Sequence, residues 1–426
     1  MTDLRAKRAI LAALSHEPDF SALGTLPPLD TSAGRRCSQW LDRSGLALSF
    51  FRKLQCHHAT TQISEAWRHA FEQRRDSNLV RMQDMLVEAK RINSAFRSFG
   101  LTAAFLKGFT LTPDFCEHPS LRHQVDIDVL VAPKNTQAAA KALSACGYSA
   151  SRVNESGETC FLTPLRHIPS RRDDLYALPR QRQVDLHISL WEGCPWLPVE
   201  TPNDCLEHTE THSICGFDYL SLSLEDKFLL QVLHAFQHSF RSWIRVSWLM
   251  EIGRCLEKHQ QNADLWDRLI ARAGNAALTR SMFSFVLGLV RRLFLTPIPP
   301  QLCSWTAEAR TPGQRAWLDH FALDWAISDW PGSLHNLFLT SEFIPDLRLR
   351  MQYWRSRLLP KKVSASLGSV VAASPQEFFQ LQAARVGYVA HRAAVHLKGI
   401  ATFPWQRFRW RRALESSRRL GLDPDC

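Results

Sequence analysis

Phe105-Leu106-Lys107-Gly108-Phe109-Thr110 is followed shortly by Arg122-His123-Gln124-Val125-Asp126-Ile127-Asp128-Val129-Leu130-Val131. The first apolar run stops at a glycine, and the second carries two carboxylates at i and i+2. Ile127, Val129, Leu130 and Val131 make the second run a strand, and the period of a strand sets Asp126 and Asp128 on one face. Two such acids repel each other and resist burial unless a cation sits between them. Magnesium carrying nucleotide phosphates meets that demand with hard oxygen ligands. A glycine at the end of the first strand lets backbone amides approach phosphate oxygens, with Lys107 and Thr110 in reach to assist. On its own, a strand-ending glycine is equally an ordinary turn, and paired acids on an edge strand are equally solvated ones.

A third acid shifts that balance. Val184-Asp185-Leu186-His187-Ile188 repeats the pattern of a carboxylate inside an apolar strand. Three carboxylates are what phosphoryl or nucleotidyl transfer through two magnesium ions requires. Two hold the ions, and the third also takes the proton of an attacking hydroxyl.

Working outward, Cys37 to Phe99 reads as helical, with apolar residues at threes and fours among many charges and Gly100 as the C-terminal cap. Leu101–Leu106, Val125–Val131, Tyr148–Val153, Thr159–Leu162 and Gln183–Leu190 read as strands, and Pro133–Cys146 as a helix ending at Gly147. After Pro198 the helical period returns, most clearly over Leu222–Phe240, Trp243–His259, Leu265–Ala273 and Ala276–Leu295. The expected fold is α+β, a small mixed sheet core (residues 100–195) between an N-terminal helical region (1–99) and a C-terminal helical domain (196–426).

The chain has 426 residues, 45% of them hydrophobic, so it has material for a sizeable core and is neither disordered nor fibrous. Its 52 Lys and Arg against 41 Asp and Glu give +11, which favours polyanionic partners such as nucleotides, nucleic acid or an anionic surface. The excess is spread along the sequence, as in a basic protein with no such partner. Eleven cysteines at irregular intervals suit a reducing compartment, and the expected localisation is cytoplasmic. No apolar run reaches the ~18 residues that span a bilayer. Several tryptophans lie beside or near arginines (Trp354, Trp405, Trp410), an arrangement that serves either nucleic-acid stacking or half-buried helix anchors.

The acid segment resembles the nucleotidyltransferase superfamily that includes DNA polymerase beta and the kanamycin-type nucleotidyltransferases. More closely, Leu106-Lys107-Gly108, Arg122 with Asp126-Ile127-Asp128-Val129-Leu130-Val131, Gly147-Tyr148 and Val184-Asp185-Leu186-His187 resemble the bacterial uncharacterised nucleotidyltransferase family. The likeness continues through Leu233-His234-Ala235-Phe236-Gln237-His238, Trp243, Arg245 and Trp248-Leu249, and more faintly to Arg357-Leu358-Leu359-Pro360. The resemblance implies that Gly108 shapes a phosphate turn, that Asp126 and Asp128 bind Mg2+, and that Asp185 is the third acid. The chain departs from the family in three places. Gly108-Phe109 stands where Gly-Ser or Gly-Gly is usual, Ile188 where tryptophan is frequent, and Glu251 where aspartate is frequent. With no serine in the turn, the triphosphate falls to Lys107 and Arg122, unless Arg122 is an ion-pair partner of the acids.

His234 and His238, at i and i+4 on an apolar helix, share a face and are either a metal-binding pair or core histidines that, with His187, support the acids from behind. Cys205, His208, His212 and Cys215 have zinc-ligand chemistry but crowd into one short segment without the separating loop of zinc modules. The expected activity is a Mg2+-dependent transferase that moves a nucleoside monophosphate from an NTP such as ATP to an acceptor, a small molecule, protein or RNA, and releases pyrophosphate. Two competing readings are a non-catalytic, antitoxin-like partner that keeps the fold and a terminal-transferase role on RNA.

Overall fold

The computed structural model describes residues 3–153, 159–164, 175–191, 196–240, 245–328, 335–358 and 375–419. Trp243, Leu359 and Pro360 of the motifs above lie outside these residues. The chain opens with helices α1 (Asp3–Leu14), α2 (Ser32–Ser44), α3 (Ala47–Cys56) and the long α4 (Glu65–Ser98). Gly100 closes α4 in the left-handed region, at φ 66°. Strands β1 (Ala103–Leu106) and β2 (Asp126–Val131), helix α5 (Thr136–Ala145) and strands β3 (Ser149–Val153), β4 (Thr159–Leu162) and β5 (Gln183–His187) follow. Two further strands, β6 (Thr209–Ile214) and β7 (Phe217–Leu222), precede α6 (Leu224–Phe240), α7 (Val246–Lys258), α8 (Ala263–Ala273) and α9 (Ala277–Phe294). The rest is helical: α10 (Pro300–Thr306), α11 (Pro312–His320), α12 (Ala322–Ile327), α13 (His335–Phe343), α14 (Leu347–Leu358) and α15 (Pro375–Arg419).

The strands form one mixed sheet in the order β3-β4-β5-β2-β1-β7-β6. The acid strands β2 and β5 are parallel neighbours, and β1 runs antiparallel to β2 on its other side. The fold is α+β, as expected. The β6–β7 hairpin is a difference, because it falls within residues 196–426, expected to be helical. Ile214 pairs with Phe217 across a two-residue turn, Cys215-Gly216, with φ of 48° and 71°. Positive φ at both positions gives the primed turn whose twist suits a hairpin. Cys-Gly is not among its usual signals, and the edge strand β6 is largely exposed, so no apolar alternation marks it.

Strand alternation divides the core. Ile127, Val129 and Val131 join Phe105, Val184, Leu186 and Phe161 in a core against Met85, Ile92 and Phe96 of α4 and Ala139 and Leu143 of α5. The opposite parity, Ala104, Leu106, Leu130 and Leu222, packs into a larger core with Phe228, Leu233 and Phe236 of α6, Leu249 and Ile252 of α7, and Phe283 and Val286 of α9. Asp126, Asp128 and Asp185 have this second parity. They therefore face the helical layer, at the end of the sheet where β1 turns.

Candidate active site

Parallel pairing of β2 and β5 sets Asp128 directly beside Asp185, and Asp126 beside Gln183. Direct cross-strand neighbours point to the same face, so three carboxylates from two strands share one patch. The entries to both strands are gripped by polar side chains of α4. Asn78 Nδ2 donates to the carbonyls of Ser120 at 2.6 Å and Arg122 at 3.2 Å. Arg81 Nε donates to the carbonyl of Gln124 at 3.0 Å, and Asp84 forms an ion pair with Arg182, the residue before β5.

Asp128 is the best-held of the three. Its Oδ1 accepts from Lys107 Nζ at 3.0 Å and from His187 Nε2 at 2.7 Å, and all three side chains are nearly buried. These cationic and N–H neighbours, above all Lys107, outweigh burial and hold its carboxyl well below the usual carboxylate range. An ionised carboxylate only accepts, so the proton in the short contact sits on His187 Nε2. Asp126 is pushed the other way. Burial and the charge of Asp128 raise its pKa, and Lys107 and Arg245 offset only part of that. Asp185 is fixed by Gln183, whose side-chain amide lies 2.9 Å from both carboxylate oxygens.

The turn after β1 brings Lys107 onto Asp128. Lys107 has φ 50° and Gly108 φ 54°, two left-handed residues in succession. A non-glycine residue at positive φ is uncommon and costs roughly 1 kcal/mol or more. Gly108 has no room for a side chain, since a Cβ there would lie 2.0 Å from Gln124 Nε2, which donates to the Asp126 carbonyl at 2.8 Å. The glycine thus allows the first strand's turn to close against the entry of the second. A single 3-10 turn (Gly108–Leu111) follows. Thr110 is buried and its hydroxyl donates to the Lys107 carbonyl at 2.7 Å, so it closes the turn.

Arg122 does not reach the acids as an ion-pair partner. Its Nε donates to Glu251 Oε1 at 2.9 Å in a buried pair between the β2 entry and α7. Glu251 at the position where aspartate is frequent in the resembled family is thereby accounted for. Beside it, Arg245 donates to the His123 carbonyl at 2.9 Å and to the His123 ring. His234 and His238 pack on each other, with ring centroids 4.6 Å apart, and both pack on Trp248 at 4.4 and 4.7 Å. Burial, then the charge of Lys107, drives His234 well below the ordinary imidazole value, so it is a neutral wall close behind the acid patch.

Among the described residues no three His, Cys, Asp or Glu side chains converge as a ready metal-binding group. Of the cysteine–histidine segment, Cys205 Sγ donates to the Pro202 carbonyl at 3.3 Å, His208 contacts Asp204 at 3.1 Å, and His212 contacts Lys227 at 3.0 Å. At the acid patch the chemistry still fits a hard divalent cation. The donors are carboxylate oxygens, their mutual repulsion is visible in Asp126, and an ammonium already stands at Asp128. Reading the sequence missed Gln183, Gln124 and Arg245 as parts of the site. Gln183 precedes Asp185 by two residues on the same strand face, a signal that period 2 contains, whereas Gln124 lies in the segment before β2.

Among the described residues, no helix is long and apolar enough to cross a membrane. No curated protein and no solved structure matches the chain. The sequence model of one family, described as uncharacterised nucleotidyltransferase, matches residues 34–294, which include the sheet, all three acids and helices α2 to α9. That match covers more than half of the chain, and with the acid patch at its centre the protein belongs to the uncharacterised nucleotidyltransferase family.

Proposed function

We propose that the protein is a magnesium-dependent nucleotidyltransferase of the DNA polymerase beta-like superfamily, moving a nucleoside monophosphate from an NTP to an acceptor with release of pyrophosphate. The observation that carries this reading is the side-by-side register of Asp128 and Asp185, with Asp126 two residues along the same face. Asp126 and Asp128 would hold the cation together with Asp185. Bound there, magnesium would neutralise phosphate charge and lower the pKa of an attacking hydroxyl.

The chain's own side chains have separate parts. Lys107 holds Asp128 ionised before substrate binds and moves to the triphosphate once the patch is charge-compensated. Gly108 keeps the turn narrow enough for its backbone to lie against phosphate. Asp185, oriented by Gln183, takes the proton of the acceptor hydroxyl. His187 keeps Asp128 aimed through its Nε2–H, and His234, which burial holds neutral, packs with His238 and Trp248 behind them. Arg122, anchored by Glu251, and Arg245 add positive potential beside Asp126.

Thermal unfolding with nucleotide and magnesium tests the reading. Ligand at about a hundred times its dissociation constant stabilises the fold by roughly 2.7 kcal/mol. NTP with magnesium should raise Tm, either alone should do so less, and the Asp126→Asn, Asp128→Asn double variant should lose the joint effect. A flat response of folded protein to all four nucleotides with magnesium would favour the non-catalytic, antitoxin-like reading.

A further inference from the structure

The C-terminal helix α15 lies beyond the family match and takes no part in the acid patch. Its second half is seated on the body. Trp410 stacks on Phe338 with centroids 5.5 Å apart and lies 6.0 Å from Phe321, while Phe403 lies 6.0 Å from Phe338. Its first half presents apolar side chains to solvent. Val386 is 69% exposed, Val389 52%, Leu397 68% and Ile400 73%. These positions are spaced i, i+3, i+11 and i+14, which confines them to one stripe of the helix, with Ala393 between them. Beyond Pro404, which lies inside the helix, Trp405 is 60% and Phe408 48% exposed.

Charge on this helix has one sign. From Phe378 to Leu414 the chain contains seven Lys and Arg and no Asp or Glu. Lys398 stands between Leu397 and Ile400 in the sequence, and beyond Pro404 Arg407, Arg411 and Arg412 are exposed. An exposed aliphatic stripe on a helix whose charge is all positive, with tryptophan and phenylalanine at one end, suits a helix that lies in the plane of an anionic bilayer surface. A second copy of the chain would bring like charges together. Nucleic acid would satisfy the arginines but leave Val386, Val389, Leu397 and Ile400 in water.

We propose that α15 is a docking surface for an anionic lipid bilayer. It lies on the membrane through the stripe from Val386 to Ile400 and holds the catalytic body at the surface without spanning. Leu397 and Ile400 enter the acyl boundary, and Lys398, Arg407 and Arg411 reach the anionic headgroups.

Co-sedimentation of the full chain with vesicles tests this. Wild type should pellet with vesicles of phosphatidylcholine mixed with phosphatidylglycerol, and at least about tenfold less with phosphatidylcholine alone or in high salt. Leu397→Ser with Ile400→Ser, and separately Lys398→Glu with Arg407→Glu, should each reduce binding to the mixed vesicles at least about tenfold. Both variants should keep the wild-type Tm, because these side chains do not pack in the body. Equal binding to neutral and anionic vesicles, or none to either, would overturn the proposal. So would a lipid-free dimer, or RNA retention, that the Leu397→Ser and Ile400→Ser changes abolish.

Discussion

His187 Nε2 donates to Asp128 Oδ1 at 2.7 Å across the β5–β2 pair, from a residue two positions beyond the acid that Asp128 faces. One parallel register therefore supplies both the second carboxylate and the hydrogen bond that aims the first. The neighbouring acids of β2 nevertheless sit in opposite electrostatic states, Asp128 stabilised as an anion and Asp126 destabilised as one.

That contrast predicts opposite stability effects for the same chemical change. Asp128→Asn leaves Lys107 without its buried partner and should destabilise the fold by about 2 to 4 kcal/mol at pH 7. Asp126→Asn relieves repulsion and should leave Tm unchanged or raise it by a few degrees. The pKa of Asp128 is lowered on folding, so its contribution is present above the unfolded carboxylate value and disappears as pH falls. The gap between wild type and Asp128→Asn should therefore be full above about pH 5 and begin to narrow as pH falls below about 4. The folded pKa of Asp126 is raised, so its ionisation opposes folding above that range and the sign reverses. Tm measured from pH 3 to 8 for the three proteins checks both signs. Both variants should lose transfer activity by several orders of magnitude.

Lys107 competes with any cation for Asp128. Lys107→Met should therefore tighten magnesium or manganese binding to the nucleotide-free protein while raising KM for the NTP. Manganese titration followed by paramagnetic resonance, with steady-state kinetics, separates the two effects. Weaker metal binding in the variant would mean that the lysine holds the acids in place instead of competing for them.

Gly108→Ala sets a methyl group against the buried Gln124 at a positive φ. The expected cost is about 1 to 3 kcal/mol, with a loss of activity larger than the loss of folded protein, because the Lys107–Gly108 turn and the entry of β2 shift together. Chemical denaturation and kcat/KM on the same preparation check this. A variant with wild-type activity would remove the turn from the site.

The strands that carry chemistry were legible in the sequence because burial on both sides wrote them as dense apolar runs interrupted by acids. Asp126, Asp128 and Asp185 stand out for that reason, and parity alone aligned two of them. What was not legible depends on distance in the chain. Arg122 reads either as a triphosphate ligand or as a partner of the acids, and no local pattern predicts Glu251, which α7 brings to it from so far along the chain. The β6–β7 hairpin escaped because its outer strand is an exposed edge and its turn uses Cys-Gly. A hydroxyl beside a glycine turn has the same sequence whether it faces phosphate or its own backbone, and the bond from Thr110 to the Lys107 carbonyl is not readable from it.

The Arg122–Glu251 pair tells anchoring apart from nucleotide binding. Glu251→Ala should cost about 3 to 5 kcal/mol, since it leaves a buried guanidinium uncompensated. Combining it with Arg122→Leu should restore part of that stability. If Arg122 also meets the triphosphate, the double variant regains its fold but keeps an NTP KM at least about tenfold above wild type. Denaturant titration with NTP kinetics on the single and double variants measures both terms.

The central claim concerns which phosphorus atom moves. Purified protein should be incubated with magnesium, an extract that supplies the acceptor, and NTPs labelled either at the α or at the γ phosphorus. Label from the α position should appear on an acceptor, label from the γ position should leave as pyrophosphate, and the Asp126→Asn, Asp128→Asn double variant should transfer neither. Acceptor labelled from the γ position, or no transfer of α label from any of the four nucleotides by folded wild-type protein, would contradict it.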